Sequence, residues 1–135
     1  SDCLVGSEMC IRDRSNGGNG HYVLANLNSY EPEETFDLIH SMEVMYYLEN
    51  PAEIIKKISE SWLKLGGRLI VGIDHYYENI ASHSWQEKVG TPMLMLREKE
   101  WLNIFKDSGL NEVEYWRSND SDNWAGTLVL TGKKK

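Results

Sequence analysis

Cysteine is scarce in this 135-residue chain: there are two, Cys3 and Cys10, both within the first 14 residues. The remainder therefore offers no disulfide framework, no thiolate metal ligand and no cysteine nucleophile. Long apolar runs are also missing, and no stretch approaches the roughly 20 residues of a membrane-spanning helix. Clustered basic charge is confined to Lys133, Lys134 and Lys135 at the terminus, and the net charge is −7. An acidic chain of this kind is not built to hold a nucleic-acid backbone. His21, His40, His75 and His83 show no metal-ligand spacing, so no metal is expected. A serine hydrolase lacks its Gly-x-Ser-x-Gly elbow. The glycine-rich run SNGGNG at 15–20 follows no apolar strand and opens no clear helix, so it reads as a turn or linker rather than a phosphate loop. Together these absences set the expectation of a cytoplasmic protein with neither a membrane nor a nucleic acid as partner.

What is present is ordinary for one globular domain with a real core: 41% hydrophobic and 26% charged residues. The first 14 residues, SDCLVGSEMCIRDR, match nothing downstream. LVGSEMCIRDR resembles the translation of a transposon-end sequencing adapter. Residues 1–14 are therefore expected to be an adapter-like, disordered stretch outside the fold, and residues 15–135 to form the domain.

The most ordered stretch runs from Phe36 to Ile73. Two short runs rich in branched residues, FDLIH and LIVGI, read as buried parallel strands. Between them Asn50 can cap a helix, Pro51 suits its first position, and Glu53 stands where a capping-box carboxylate belongs. Ile54, Ile55, Ile58, Trp62 and Leu65 share one helical face, and Gly66-Gly67 is expected to end the helix. The result is a βαβ unit. Elsewhere HYVLA at His21 to Ala25 is a short strand candidate, and Glu98 to Ser108 a helix whose Arg97 is a poor cap. Glu112 to Arg117 and Thr127 to Thr131 are two late strands that must pair antiparallel, since no helix separates them. Asp74 to Pro92 is long, aromatic and without sustained period, the profile of a functional lid.

FDLIHSMEVMYYLENP followed by LKLGGRLIV, and later EKEWLNIFKDSGL, resemble the second half of class I S-adenosylmethionine-dependent methyltransferases. The resemblance covers Tyr22 to Gly132, with Leu65 standing where that family usually has proline. It implies an α/β fold, a partial Rossmann-like sheet made of strands 3, 4, 5, 7 and 6 of the order 3-2-1-4-5-7-6, with flanking helices. It implies S-adenosylmethionine as cofactor and a small-molecule methyl acceptor. The family's glycine turn after strand 1 and its ribose-binding acid after strand 2 have no counterpart before His21, so this chain alone is expected to be inactive. The resemblance also places Asn26 and Leu27 near the adenine, with Asn28 as a competing choice.

Ligands of open α/β sheets sit beyond the carboxyl ends of the strands. Here those ends carry His40, Ser41, Met42, Glu43, Tyr46 and Tyr47 after one strand, and Asp74, His75, Tyr76 and Tyr77 after the other. Aromatic faces attract a sulfonium or an ammonium, and histidine can act as a base near neutral pH. His75 and Tyr76 are the catalytic candidates; His40, Ser41 and Tyr47 join Asn26 and Leu27 as cofactor-binding candidates. Two other readings stand beside the methyltransferase: a non-catalytic α/β interaction or regulatory module, and a Rossmann-type enzyme using another nucleotide.

Overall fold

A computed structural model describes residues 3–6 and 21–135. The chain divides into two units, Ser1–Glu33 and Glu34–Lys135. In the first, β1 (Cys3–Gly6) pairs in parallel with β2 (His21–Leu24), Leu4 opposite Tyr22 and Val5 opposite Val23. This differs from the expectation that residues 1–14 carry no element. A strand's backbone donors and acceptors need a partner, and residues 3–6 supply one for the strand at His21. The rest of that stretch and the turn at 15–20 lie outside the described residues.

The second unit holds a four-stranded mixed sheet, ordered β3 (Phe36–Met42), β4 (Leu63–Ile73), β6 (Thr127–Lys133) and β5 (Asn111–Ser118). β3 and β4 are parallel; β6 is antiparallel to both β4 and β5. This is the expected order 4-5-7-6. Helix α1 (Pro51–Lys57) begins as its sequence requires, with the Glu53 backbone N–H donating to Asn50 Oδ1 at 3.3 Å and Pro51 in the first turn. It widens to π geometry over Ile58–Trp62. Ile54, Ile55, Ile58 and Trp62 are buried.

The helix ends earlier than its glycines suggest. Leu63 is already extended, buried, and paired with Phe36. Sheet pairing and the burial of Leu63 outcompete the helical pattern, so Leu65 leaves the apolar face and is 78% exposed. Gly66 and Gly67 instead shape a bulge within β4, where the register to β3 shifts between Phe36 and Leu38. Gly66 has φ +83°, and a Cβ on Gly67 would lie 2.8 Å from the Lys64 carbonyl oxygen and 2.9 Å from that of Phe36. Neither backbone oxygen can move without breaking the strand. Gly67→Ala is therefore expected to lower stability by about 1–3 kcal/mol, read as a fall in the thermal unfolding midpoint. An unchanged midpoint would show that β4 has room to relax there.

α2 (Trp85–Val89) is a single short helix, ended by Gly90 in the left-handed region. α3 (Glu98–Asp107) buries Trp101 and Phe105. Its weak start is corrected from outside the helix as well as within it. The Glu98 N–H donates to Glu78 Oε1 at 2.8 Å, and the Arg97 N–H to Glu100 Oε1 at 3.0 Å. Two carboxylates thus satisfy a helix N-terminus that lacks a Ser, Thr, Asn or Asp cap.

Candidate functional site

Because β3 and β4 run parallel, their carboxyl ends lie on the same side of the sheet, with Ser41 beside Val71 and Met42 beside Gly72. The chain leaves β3 through Glu43, whose φ of +59° is left-handed, a conformation that costs a non-glycine residue on the order of 1 kcal/mol. The Glu43 N–H donates to the Gly72 carbonyl at 2.9 Å, which ties the turn to the neighbouring strand end. A 3-10 turn, Met45–Tyr47, follows and buries Met45 and Tyr46. The Tyr46 hydroxyl donates to Glu43 Oε2 at 2.5 Å. Glu43 Oε1 and Ser41 Oγ are both buried and have no hydrogen-bond partner among the described residues.

Burial pushes the Glu43 carboxyl above the ordinary carboxylate range. The Tyr46 hydroxyl opposes that shift, the Asp74 charge adds to it, and the Asp74 backbone N–H opposes it. Tyr46 is raised in turn, by burial first and then by Glu43. The two groups share one proton-bearing contact in which the hydroxyl stays protonated and the carboxylate accepts.

His75 stands one residue beyond Asp74 and is buried. Its Nδ1 lies 3.1 Å from the Ser82 carbonyl. A carbonyl only accepts, so Nδ1 carries the proton and Nε2 the lone pair. Burial lowers the histidine's pKa and keeps the ring neutral, with the Ser82 contact opposing and His83 reinforcing. The His75 ring lies 5.3 Å from Tyr46 and stacks at 6.1 Å on Trp85, which stacks on Trp124 at 5.9 Å; Tyr47 lies 4.7 Å from Tyr46. Five rings thus run from the β3 end to the loop before β6.

The structure brings Ser41, Tyr47 and His75 to this strand end, and gives Glu43 and Tyr46, named there from sequence without a role, a shared hydrogen bond. His40 is exposed further back on β3, in register with Ile70. Tyr76 is fully buried; its hydroxyl donates to the Gly126 carbonyl at 2.7 Å and its pKa is pushed up to about 12, mainly by burial. That hydroxyl is held by the β5–β6 loop. Asn26 and Leu27 belong to the first unit. There Asn26 Oδ1 accepts the Asn28 N–H at 2.9 Å, an Asx turn.

The Asp74 to Pro92 stretch departs from the expected lid in its first half. His75, Tyr76, Asn79 and Ser82 are buried. Asn79 Nδ2 donates to the Asp74 carbonyl, Asn79 Oδ1 accepts the Ala125 N–H, and the Thr127 hydroxyl donates to Asp74 Oδ1 at 2.6 Å. Polar side chains satisfied by backbone replace the apolar period that marks a core segment, which is why no period is visible there. Among the described residues no three His, Cys, Asp or Glu side chains form a metal-holding group, and no helix is long and apolar enough to cross a membrane.

No family model matches the chain. Over 106 residues it is 31% identical to (S)-coclaurine N-methyltransferase of Papaver somniferum, a match spanning 73% of this chain and 30% of that enzyme's length. Among solved structures, the complex between a Haloferax volcanii methyltransferase activator and a methyltransferase matches with TM-score 0.80 at 23% identity, covering 97% of this chain and 70% of that one. A Thermotoga maritima S-adenosylmethionine-dependent methyltransferase matches with TM-score 0.76 at 19% identity, over 99% and 73% of the two chains. N-methyltransferase NodS of Bradyrhizobium japonicum, solved with S-adenosylhomocysteine, matches with TM-score 0.72 at 18% identity, over 98% and 65%. The chain has the class I S-adenosylmethionine-dependent methyltransferase fold, and its four-stranded sheet is the 4-5-7-6 half of that fold.

Proposed function

We propose that this protein transfers a methyl group from S-adenosylmethionine to a small-molecule acceptor at the carboxyl ends of β3 and β4. One observation carries the reading: Ser41, Glu43, Tyr46 and His75 converge at the ligand-binding end of the sheet, with two buried polar oxygens left unpartnered. Buried polar groups are nearly always paired, so two orphans at this place fit a ligand. The cofactor supplies a methyl group already activated as a sulfonium. The protein's share is to hold the acceptor in line and to remove a proton where the acceptor carries one.

In this reading His75 is the base, acting through Nε2, and Tyr76 holds its strand end by anchoring Gly126. The half-exposed Tyr47 faces the cofactor, whose sulfonium suits an aromatic ring, and Ser41 stands with Glu43 on the acceptor side; His40 lies on the opposite face of β3 from Ser41. The covering role is confined to the mostly exposed stretch from His83 to Pro92. No glycine turn or ribose-binding acid of that family is read before His21 in this sequence.

Titration calorimetry tests this directly. The 135-residue chain is expected to bind S-adenosylmethionine weakly or not at all, and the full-length gene product with micromolar affinity. A full-length product that fails to bind it overturns the methyl-transfer reading. Micromolar binding by the 135 residues alone overturns the placement of the missing cofactor ligands.

A further inference from the structure

We propose that Glu43 is the acceptor-recognising carboxylate and that the acceptor it selects carries a cationic nitrogen. The inference rests on the methyl-transfer reading and names the substrate class of that same site. Three independent features converge on this one residue. The first is backbone: Glu43 occupies the left-handed region at the end of β3, where glycine, asparagine or aspartate would be unstrained. The chain is fixed there by the Glu43 N–H to Gly72 carbonyl bond. A conformation with this cost persists where something else over-determines it, and such residues cluster at ligand sites.

The second feature is unused bonding capacity. Tyr46 occupies Oε2 and the Asp74 backbone N–H supports the charged carboxylate, while among the described residues no group closes a hydrogen bond on the buried Oε1 or on the buried Ser41 hydroxyl two residues back. An ionised carboxylate accepts at both oxygens, so one oxygen and one hydroxyl stand ready for an N–H donor. The third is charge. None of the salt bridges among the described residues involves Glu43, and the nearest charged neighbour acting on it is another carboxylate, Asp74. Among the described residues no cation pairs with Asp74; its Oδ1 takes the Thr127 hydroxyl.

Two carboxylates at adjacent strand ends, flanked by the Tyr46, Tyr47 and His75 rings, make a negative, aromatic-lined corner. Its complement is a cation with N–H donors: the carboxylate takes a charge-assisted hydrogen bond and the rings add cation–π attraction. A neutral hydroxyl acceptor would leave the buried charge uncompensated, which such a site rejects. Glu43 here binds and orients the nitrogen as the cation and takes no covalent step of its own; where that nitrogen is the methyl acceptor, its proton passes first to His75 Nε2, which frees the lone pair that attacks the methyl group.

The probe pair is 2-phenylethylamine, cationic at neutral pH, and 2-phenylethanol, its neutral counterpart. Each is titrated into the 135-residue chain and followed through the backbone amide shifts of Glu43, Gly72 and Asp74. The amine is expected to bind about tenfold tighter than the alcohol. Glu43→Gln is expected to equalise the two affinities while leaving the thermal midpoint at pH 8 unchanged or higher, because it removes a desolvated charge. Should that variant lower the midpoint, Glu43→Asn, better suited to left-handed backbone, repeats the test with the same expected equalisation. Equal affinities in the parent chain, no shift with either probe, or a preference that survives both substitutions overturns the assignment. Cofactor binding by the full-length product is a separate measurement, so failure here leaves the methyl-transfer reading standing.

Discussion

Turnover of the full-length protein is expected to fall by about 10²–10⁴ when His75 becomes alanine, with S-adenosylmethionine affinity nearly unchanged. The ring is buried, its Nδ1 proton is given to the Ser82 carbonyl, and its free nitrogen belongs to a group that burial keeps neutral. A base in that state needs no activation before it takes a proton. Removing a buried ring also disturbs packing, so a control is required. His75→Asn retains a donor for the Ser82 carbonyl and removes the free ring nitrogen. An equal loss of turnover in this variant, with its thermal midpoint held, assigns the effect to Nε2. Unchanged turnover in both variants removes His75 from the mechanism.

The same burial predicts a pH dependence. The folded pKa of His75 lies below its unfolded value near 6.5. Between the two values the unfolded chain binds the extra proton. The contribution to stability is therefore complete above about pH 6.5 and declines as pH falls below it. The acid limb of turnover should likewise lie below pH 6.5. Glu43 runs the opposite way: its carboxyl is raised above 4.5 in the fold, so its contribution is present below that value and lost as pH rises through the folded pKa. Midpoints recorded from pH 5 to 8 in His75→Asn and Glu43→Gln separate the two. Identical pH slopes in both variants and the parent chain would show that neither group controls stability here.

Trp101→Ala is expected to destabilise the second unit by about 3–5 kcal/mol, a fall on the order of 10–20 °C in the midpoint. Its side chain is 0% exposed on the inner face of α3, beside the equally buried Phe105. Leu65→Ala is expected to change stability by less than about 0.5 kcal/mol, since that side chain lies in water on the β4 bulge. The pair is diagnostic because a helix running on to Gly66 would bury Leu65 against the sheet. A large loss at Leu65 would restore that helix and remove the bulge.

The elements legible from sequence are those whose signal is local. Asn50, Pro51 and Glu53 announce the start of α1 within four residues, and the structure uses Asn50 as a cap. Branched runs mark β3 and β4, and the absence of a helix between the last two strands forces their antiparallel pairing. Where the signal is not local, the reading fails in ways that have physical causes. The end of α1 is set by Leu63 pairing with Phe36, a contact between residues far apart in the chain, and not by the glycines beside it. The start of α3 is satisfied by Glu78, twenty positions upstream. The first half of the 74–92 stretch is core although it has no apolar period, because Asn79, Ser82 and Asp74 are matched to backbone groups and to Thr127.

The candidate site divides along the same line. Residue types and their place after two strands single out His40, Ser41, Tyr47, His75 and Tyr76 as candidates; of these the fold gathers Ser41, Tyr47 and His75 at the strand ends. Residue types and their places were also enough to exclude metal-ligand spacing, cysteine nucleophiles and a serine elbow from the sequence, since each of those needs particular residues at particular intervals. No sequence pattern reports a backbone angle, so the left-handed turn at Glu43 was invisible. Nor does it report which oxygen of a carboxylate is already occupied. Tyr76, next to His75 in the chain and equally aromatic, has its hydroxyl taken by Gly126, and only the fold of the β5–β6 loop could decide that. Sequence alone determined the four strands of the mixed sheet and the order of its elements, because these follow from periodicity and chain connectivity. Tertiary structure alone decided which side chains there remain unpaired, because pairing depends on partners that other segments bring into place.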